Sequence, residues 1–480
     1  MPAAALPGDA AYEALRTRFF HRRVPNIRPA RIYTPRTTSD VATILKEARR
    51  SNLKVGVRSG GHLFPCCSLI QSGVLVDTRY LNRGIEYDTH TELVSFPPGA
   101  LSKELANELS AVGRFFPFGH SPTVAAGGFL LAGGQGWFMR GWGCTSDQWV
   151  EAMEIVTADG MIVQTSRKEN EDLFWAARGS GQGFFGVVTR VWGGTIPMRR
   201  LWETVAVFDC TQRFAGILNA LLEIADRTPK NGVEVAFATF RPDRDELGLG
   251  EEVQDTRVFI AATALAFADT FDDADALLSP WEKLPDILVQ DQIMKTPVVE
   301  RTWNELFEAQ DKLNPAGNGE RWQCDSILDR PGVPREELIE AIRPALTDLP
   351  TRRSIGCIYV GDYVPDEARQ AISLPQHYYI ASMTCWTDPA WDNRMGQWMR
   401  DAYTRAARVS CGQYIADFDG KQRMTSVLSE AALARFLEIR QKWDPDERFI
   451  GYRGFSGLGR IEACLRDTLC MTQRSTVTGN

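Results

Sequence analysis

The sequence predicts an α+β protein in two parts, and three observations predict it. Over residues 28–198 short β-branched strands alternate with amphipathic helices, and three glycine-rich stretches interrupt the alternation. From about Leu201 to Arg408 the glycine clusters disappear, and alternating strands separated by amphipathic helices suggest an antiparallel sheet backed by helices. At 480 residues the chain is also too long for one ordinary core.

Each element has a local reason. Residues 1–36 read as an opening helix and an extended segment ending near Pro35. Thr37–Ser39 then offer caps to a helix whose apolar positions Val41, Ile44, Leu45 and Ala48 follow the helical period. Lys54–Val57 and Val74–Asp77 read as strands, and so does Glu92–Phe96, which Pro97-Pro98-Gly99 ends. A helix follows with Leu101, Leu105, Leu109 and Val112 on one face. Val150–Thr157 and Ile162–Thr165 are strands joined by the turn Ala158-Asp159-Gly160. Asn170–Arg178 is a short helix and Val187–Trp192 a strand. In the second part the strands are Val233–Phe240, Val258–Leu265, Ile355–Tyr363 and His377–Thr384, with helices at Phe214–Arg227 and Met395–Ala407. A last helix from Glu430 ends at Trp443-Asp444-Pro445-Asp446, before the glycine-rich segment Gly451–Gly459.

Composition narrows the partners. A net charge of −7 argues against nucleic acid and anionic membranes, which need a basic face. No apolar run is long enough to span a bilayer, and the N-terminus does not read as a signal peptide. The ten cysteines show neither CxxC nor zinc-type spacing, so free thiols, no metal site and a cytoplasmic address are expected. Oligomeric state, monomer or homodimer, stays open.

The glycine stretches carry the chemistry. The first, Val57–His62, closes a strand with Arg58-Ser59-Gly60-Gly61-His62. Two adjacent glycines let the main chain approach a ligand, their N–H groups form a concavity suited to phosphate, and Arg58 adds charge. His62 places a nucleophilic ring nitrogen at the end. The second, Gly119–Gly136, is so small-sided that backbone lying against a flat ligand explains it better than a packed helix or strand. The third, Gly181–Gly186, matches GxGxxG, but a helix precedes it and a strand follows, the reverse of a Rossmann turn; that fold is rejected.

Together these stretches resemble the flavoproteins of the vanillyl-alcohol-oxidase superfamily, in particular the berberine-bridge-enzyme-like branch. The elements are Arg58–His62, Gly73–Asp77, Pro122-Thr123-Val124, Gly127-Gly128, Gly133–Gly136 and Gly186–Thr189, and the resemblance returns at Phe436–Phe449. It implies a two-domain FAD-linked oxidase fold. The FAD-binding domain would comprise residues 1–198 and a returning segment 416–480, around a central α+β substrate domain, 199–415, with an antiparallel sheet. FAD would be attached through His62. Arg58, Ser59, Gly60 and Gly61 would line the pyrophosphate, and Val187 and Val188 the adenosine end. Ser121, Val124, Gly127, Gly128, Gly136 and Tyr452 complete the cofactor side.

The departures bear on mechanism. Many relatives carry a cysteine, which forms a second flavin bond, where this chain has Ser121, and a histidine where it has Phe129. A serine hydroxyl is protonated near neutrality, so one attachment is expected, with His120 pointing away and Cys66 and Cys67 unreacted. The usual C-terminal Tyr-x-Asn-Tyr string is replaced by Tyr414–Asp419, which makes Tyr414 and Asp417 the candidates for proton transfer. The function implied is an oxidase that takes hydride from a small alcohol, amine or phenolic natural-product intermediate. Val124, small at the position that shapes access to the flavin, points to O2 as acceptor. A carbohydrate oxidase, or a non-redox cyclase that keeps its flavin, stands as the alternative. The central aromatics Trp281, Trp303, Trp322, Tyr359, Tyr363, Tyr378 and Tyr379 could suit an apolar substrate.

Overall fold

The helix Thr38–Arg50 shows how closely sequence and local structure agree. In the computed structural model, which describes residues 2–244 and 250–449, the Thr37 side chain accepts from the Asp40 N–H and Asp40 accepts from the Thr37 N–H. This reciprocal cap starts the helix, and Val41, Ala42, Ile44, Leu45 and Ala48 form its buried stripe. The helix covers a small sheet ordered Ala4–Ala5, Arg31–Tyr33, Val74–Asp77, Val55–Arg58, the last three strands parallel. Val74–Asp77 lies inside it and is buried at every residue, hence the apolar run Val74–Val76 before the paired Asp77. The outer edge of Val55–Arg58 is closed from far along the chain. Val55 pairs with Phe449, and its N–H donates to the Arg448 carbonyl at 2.9 Å.

A second, antiparallel sheet runs Glu86–Asp88, Leu93–Phe96, Val187–Gly194, Val150–Val156, Ile162–Ser166. The largest sheet has nine strands, all paired antiparallel. Its order is Gln292–Lys295, Arg200–Asp209, Phe259–Ala268, Val233–Phe240, Ile355–Tyr363, Gln376–Trp386, Arg321–Asp329, Ser410–Gly412, with Val299–Arg301 also on Arg200–Asp209.

Strand alternation gives this sheet two different faces. Val233, Val235, Phe237, Ile358, Val360, Tyr378 and Ile380 pack into one core with the helices Phe214–Arg227, Arg335–Thr347 and Asp392–Ala406. Each fully buried Leu or Ile there, such as Leu221 or Ile342, contributes about 1.5–3 kcal/mol. The intervening residues Glu234, Tyr359, Gly361, Tyr379 and Met383 look the other way, toward the glycine-rich turns, and line a cavity. This face of the sheet roofs the cavity.

Three expectations change. The tract Gly119–Gly136 contains a six-residue helix, Ala126–Leu131. Its Gly127 is explained by crowding: a Cβ there would lie 2.5 Å from Ser59 Oγ and 2.8 Å from Pro98 Cβ. Val112 is not on the buried face of its helix; Ser102–Ala111 ends before it and leaves it half exposed. Of the central aromatics, only Tyr359 and Tyr379 line the cavity. Trp281 packs among the backing helices, and Trp303 stacks on Phe115. Gly451–Gly459, with Tyr452, lies outside the described residues.

Candidate active site

The strand Val55–Arg58 delivers the Ser59–His62 turn to the floor of a cavity of about 350 Å³ between the glycine-rich turns and the large sheet. The turn is held tightly. Gly61 has φ +75°, and a Cβ on it would lie 2.9 Å from the Arg18 carbonyl oxygen; one on Gly60 would lie 2.9 Å from Ala125 Cβ. The N–H groups of Gly60, Gly61 and His62 donate to no acceptor among the described residues. Three free donors on one cavity wall suit an anionic group. Gly128 lines the same cavity, and a Cβ there would meet nothing within 4 Å, so the space over it is open to a ligand.

Arg58 lines the same cavity, but its guanidinium has partners within the protein. Its guanidinium is buried and donates to Asp77 Oδ2 from Nη2 at 2.6 Å and from Nε at 2.9 Å, and to the Leu15 carbonyl at 2.6 Å. Arg18 also pairs with Asp77. The charge of Arg58 is therefore satisfied internally, and the residue ties the N-terminal segment to the turn.

His62 is placed as a neutral nucleophile. Its Nε2 sits 2.9 Å from Thr123 Oγ1, and its ring stacks on Phe20 with centroids 4.5 Å apart. Burial lowers its pKa to about 4, so the imidazole is uncharged at neutral pH. Nε2 is paired with Thr123, which leaves Nδ1 as the ring nitrogen without a hydrogen bond among the described residues. Ser121, Val124 and Gly136 line the cavity. Gly127, Val187 and Val188 do not. The two valines pair with Val156 and Ile155 inside the second sheet, and their side chains belong to its core.

Tyr414 and Asp417 both reach the cavity. Tyr379 Oη donates to Asp417 Oδ2 at 2.8 Å, and the Tyr414 ring stands edge-on to Tyr379 with centroids 5.8 Å apart. Burial raises the Asp417 pKa to about 6, against the hydrogen bond from Tyr379. Burial also raises both tyrosine phenols well above their ordinary range.

Thr123, His120 and Glu234 had no assigned role from sequence, and Tyr379 was read only as one of the aromatics that could suit an apolar substrate. His120, expected to point away, lines the cavity, and its Nε2 meets Glu234 Oε1 at 2.6 Å. Glu234 was readable in one respect: it is a charged residue in the strand VEVAFATF, on the face opposite Val233, Val235 and Phe237. The thiols of Cys66 and Cys67 are raised by burial, that of Cys67 to about 12, which leaves them unreactive near neutrality. Among the described residues no group of His, Cys, Asp or Glu is arranged to hold a metal, and no helix is long and apolar enough to cross a membrane.

A family model described as an FAD binding domain matches residues 29–166. The chain is 30% identical over 448 residues to the FAD-linked oxidoreductase janO of Penicillium janthinellum, which covers 92% of this chain and 94% of that protein. Two solved structures, 6-hydroxy-D-nicotine oxidase from Arthrobacter nicotinovorans and BBE-like 1 from Physcomitrella patens, each match with a TM-score of 0.78 at 18% identity. Each match covers 94% of this chain and 96% of the other.

Proposed function

We propose, from the premise that the chain belongs to the FAD-linked oxidoreductases, a family of FAD-dependent enzymes that includes the berberine bridge enzyme-like proteins, that it is an oxidase of a small, largely apolar alcohol, amine or phenol. The observation that carries this reading is the placement of His62 and the Tyr379–Asp417 pair on one cavity. The flavin, when bound, supplies the acceptor for a hydride.

The chain's own residues do the rest. The Gly60–His62 N–H groups hold phosphate, and His62 Nδ1 is the attachment atom because Thr123 occupies Nε2. Ser121 leaves the opposite edge untethered. Tyr379 takes the substrate proton as it gives its own to Asp417, so the phenol never carries full charge in its buried setting. Phe129, Tyr359 and Met383 line the cavity and exclude water. Val124 leaves access for O2, and the enzyme works in the cytoplasm.

Anaerobic mixing with candidate alcohols, amines and phenols tests the reading. The flavin absorbance is expected to bleach and to return on admitting air. Product formed while the flavin stays oxidised would mark a non-redox cyclase and overturn the proposal.

A further inference from the structure

A second polar pair faces the cavity and has no part in the mechanism above. Both oxygens of Glu234 are committed. Oε1 meets His120 Nε2 at 2.6 Å, and Oε2 accepts the Phe138 N–H at 2.7 Å. A carboxylate held this way only accepts, so it fixes the His120 tautomer with the proton on Nε2. Nδ1 then carries a lone pair and makes no hydrogen bond among the described residues. The ring is clamped between Trp137, at 4.5 Å, and Tyr359, at 4.9 Å. An unpaired acceptor on the ring of a cavity-lining residue, beside the aromatic rings of Trp137 and Tyr359, suits a donor on a ligand.

The sheet sets how far this acceptor lies from the reacting end. Glu234, Tyr359 and Tyr379 stand on three adjacent strands. Ala236 is opposite Tyr359, and Tyr359 is opposite Tyr379. Two strand spacings and a two-residue offset along the strand separate Glu234 from Tyr379, roughly 12 Å. The Tyr359 ring lies between the poles, 6.0 Å from that of Tyr379.

We propose that His120 Nδ1 accepts a hydrogen bond from an O–H or N–H donor of the substrate, at the end remote from Asp417. The inference rests on the oxidase reading and narrows its substrate to an apolar frame with a donor group away from the oxidised carbon. Glu234 acts through His120 as its positioning residue. A site built to pair a donor rejects the analogue that lacks it, because the acceptor is left buried and unpaired.

The test is calorimetric titration of the flavin-loaded oxidised protein with 2-naphthol and with 2-methoxynaphthalene, a pair that differs by the donor. The naphthol is expected to bind at least about tenfold more tightly. In His120→Phe the ratio falls to about one, whereas Asp417→Asn retains it. Glu234→Gln separates tautomer from bulk. Its carbonyl keeps the Phe138 N–H, its NH2 faces Nε2, the ring proton moves to Nδ1, and the preference for the donor is lost. Nitrogen-15 NMR of labelled histidine reads the same tautomer without any ligand, and remains decisive if His120→Phe does not fold. Equal affinities in the unaltered protein, a ratio that survives His120→Phe, or a proton found on Nδ1 would overturn the inference. A chain that takes up no flavin would instead strike at the oxidase reading, since loading is measured first from its absorbance.

Discussion

Replacing Asp417 with Asn separates the cost of the candidate base from its use. Burial moves this carboxyl from its ordinary value of 3.8 to about 6. The folded protein therefore prefers the protonated form, and the stability this gives is complete below pH 3.8. It is lost as pH rises, until above pH 6 the ionised carboxylate costs about 3 kcal/mol. Asn does not titrate. The new amide NH2 carries a fixed penalty of about 1–3 kcal/mol if unpaired, but that penalty does not vary with pH. Relative to the unaltered protein, Asp417→Asn should thus gain about 2–3 kcal/mol between pH 4 and pH 8. Urea unfolding of both proteins at pH 4, 6 and 8 measures this directly. Flavin reduction by substrate should meanwhile slow by about 10²–10⁴-fold, and the unaltered enzyme should lose activity below about pH 6. Parallel stability curves, or a variant that turns over normally, would refute the assignment of Asp417 as an ionised, buried base.

Other outcomes follow from the same geometry. His62→Ala should release all flavin on acid precipitation, and proteolysis of the unaltered protein should find flavin on the His62 peptide alone; a second peptide cross-linked through Ser121 or Cys67 would contradict single attachment. Arg58→Met leaves Asp77 buried with Arg18 as its remaining charged partner, and should cost about 3 kcal/mol in urea unfolding, the low end for a broken buried pair. Gly61→Ala should cost at least about 1 kcal/mol and reduce flavin content, because φ is +75° and the added Cβ meets the Arg18 carbonyl. Gly128→Ala should do the opposite to the apoprotein, stabilising its helix by about 0.5–1 kcal/mol while lowering flavin occupancy as the methyl enters ligand space.

Legibility in the sequence followed the strength of the periodic signal. Phe214–Arg227, Val233–Phe240 and Ile355–Tyr363 match their readings residue for residue, because each has one clean apolar face. The strand Arg321–Asp329 escaped notice for the contrary reason. Its Asp325 is buried, and the polarity is answered from elsewhere, by Gln413 at 2.8 Å and Arg423 at 2.7 Å. At the site, His62 was visible because a local motif announces it. Asp417 was a candidate from its segment, but its pairing with Tyr379, like that of His120 with Glu234, was not legible, since each pair joins residues brought together only by the fold. Arg58 shows the limit of motif reading: its charge suggested a phosphate ligand, and its surroundings commit it to Asp77.

The pairing of Val55 with Phe449 sets a timetable for synthesis. The strand that delivers His62 leaves the ribosome early, yet its outer edge is closed by a residue made nearly four hundred positions later. The nascent chain must hold that edge open while the whole central sheet, with its many long-range pairings, is translated and folds. Cofactor capture is accordingly a late event, and the interval before it is when the unfinished first part most needs protection from edge-to-edge association.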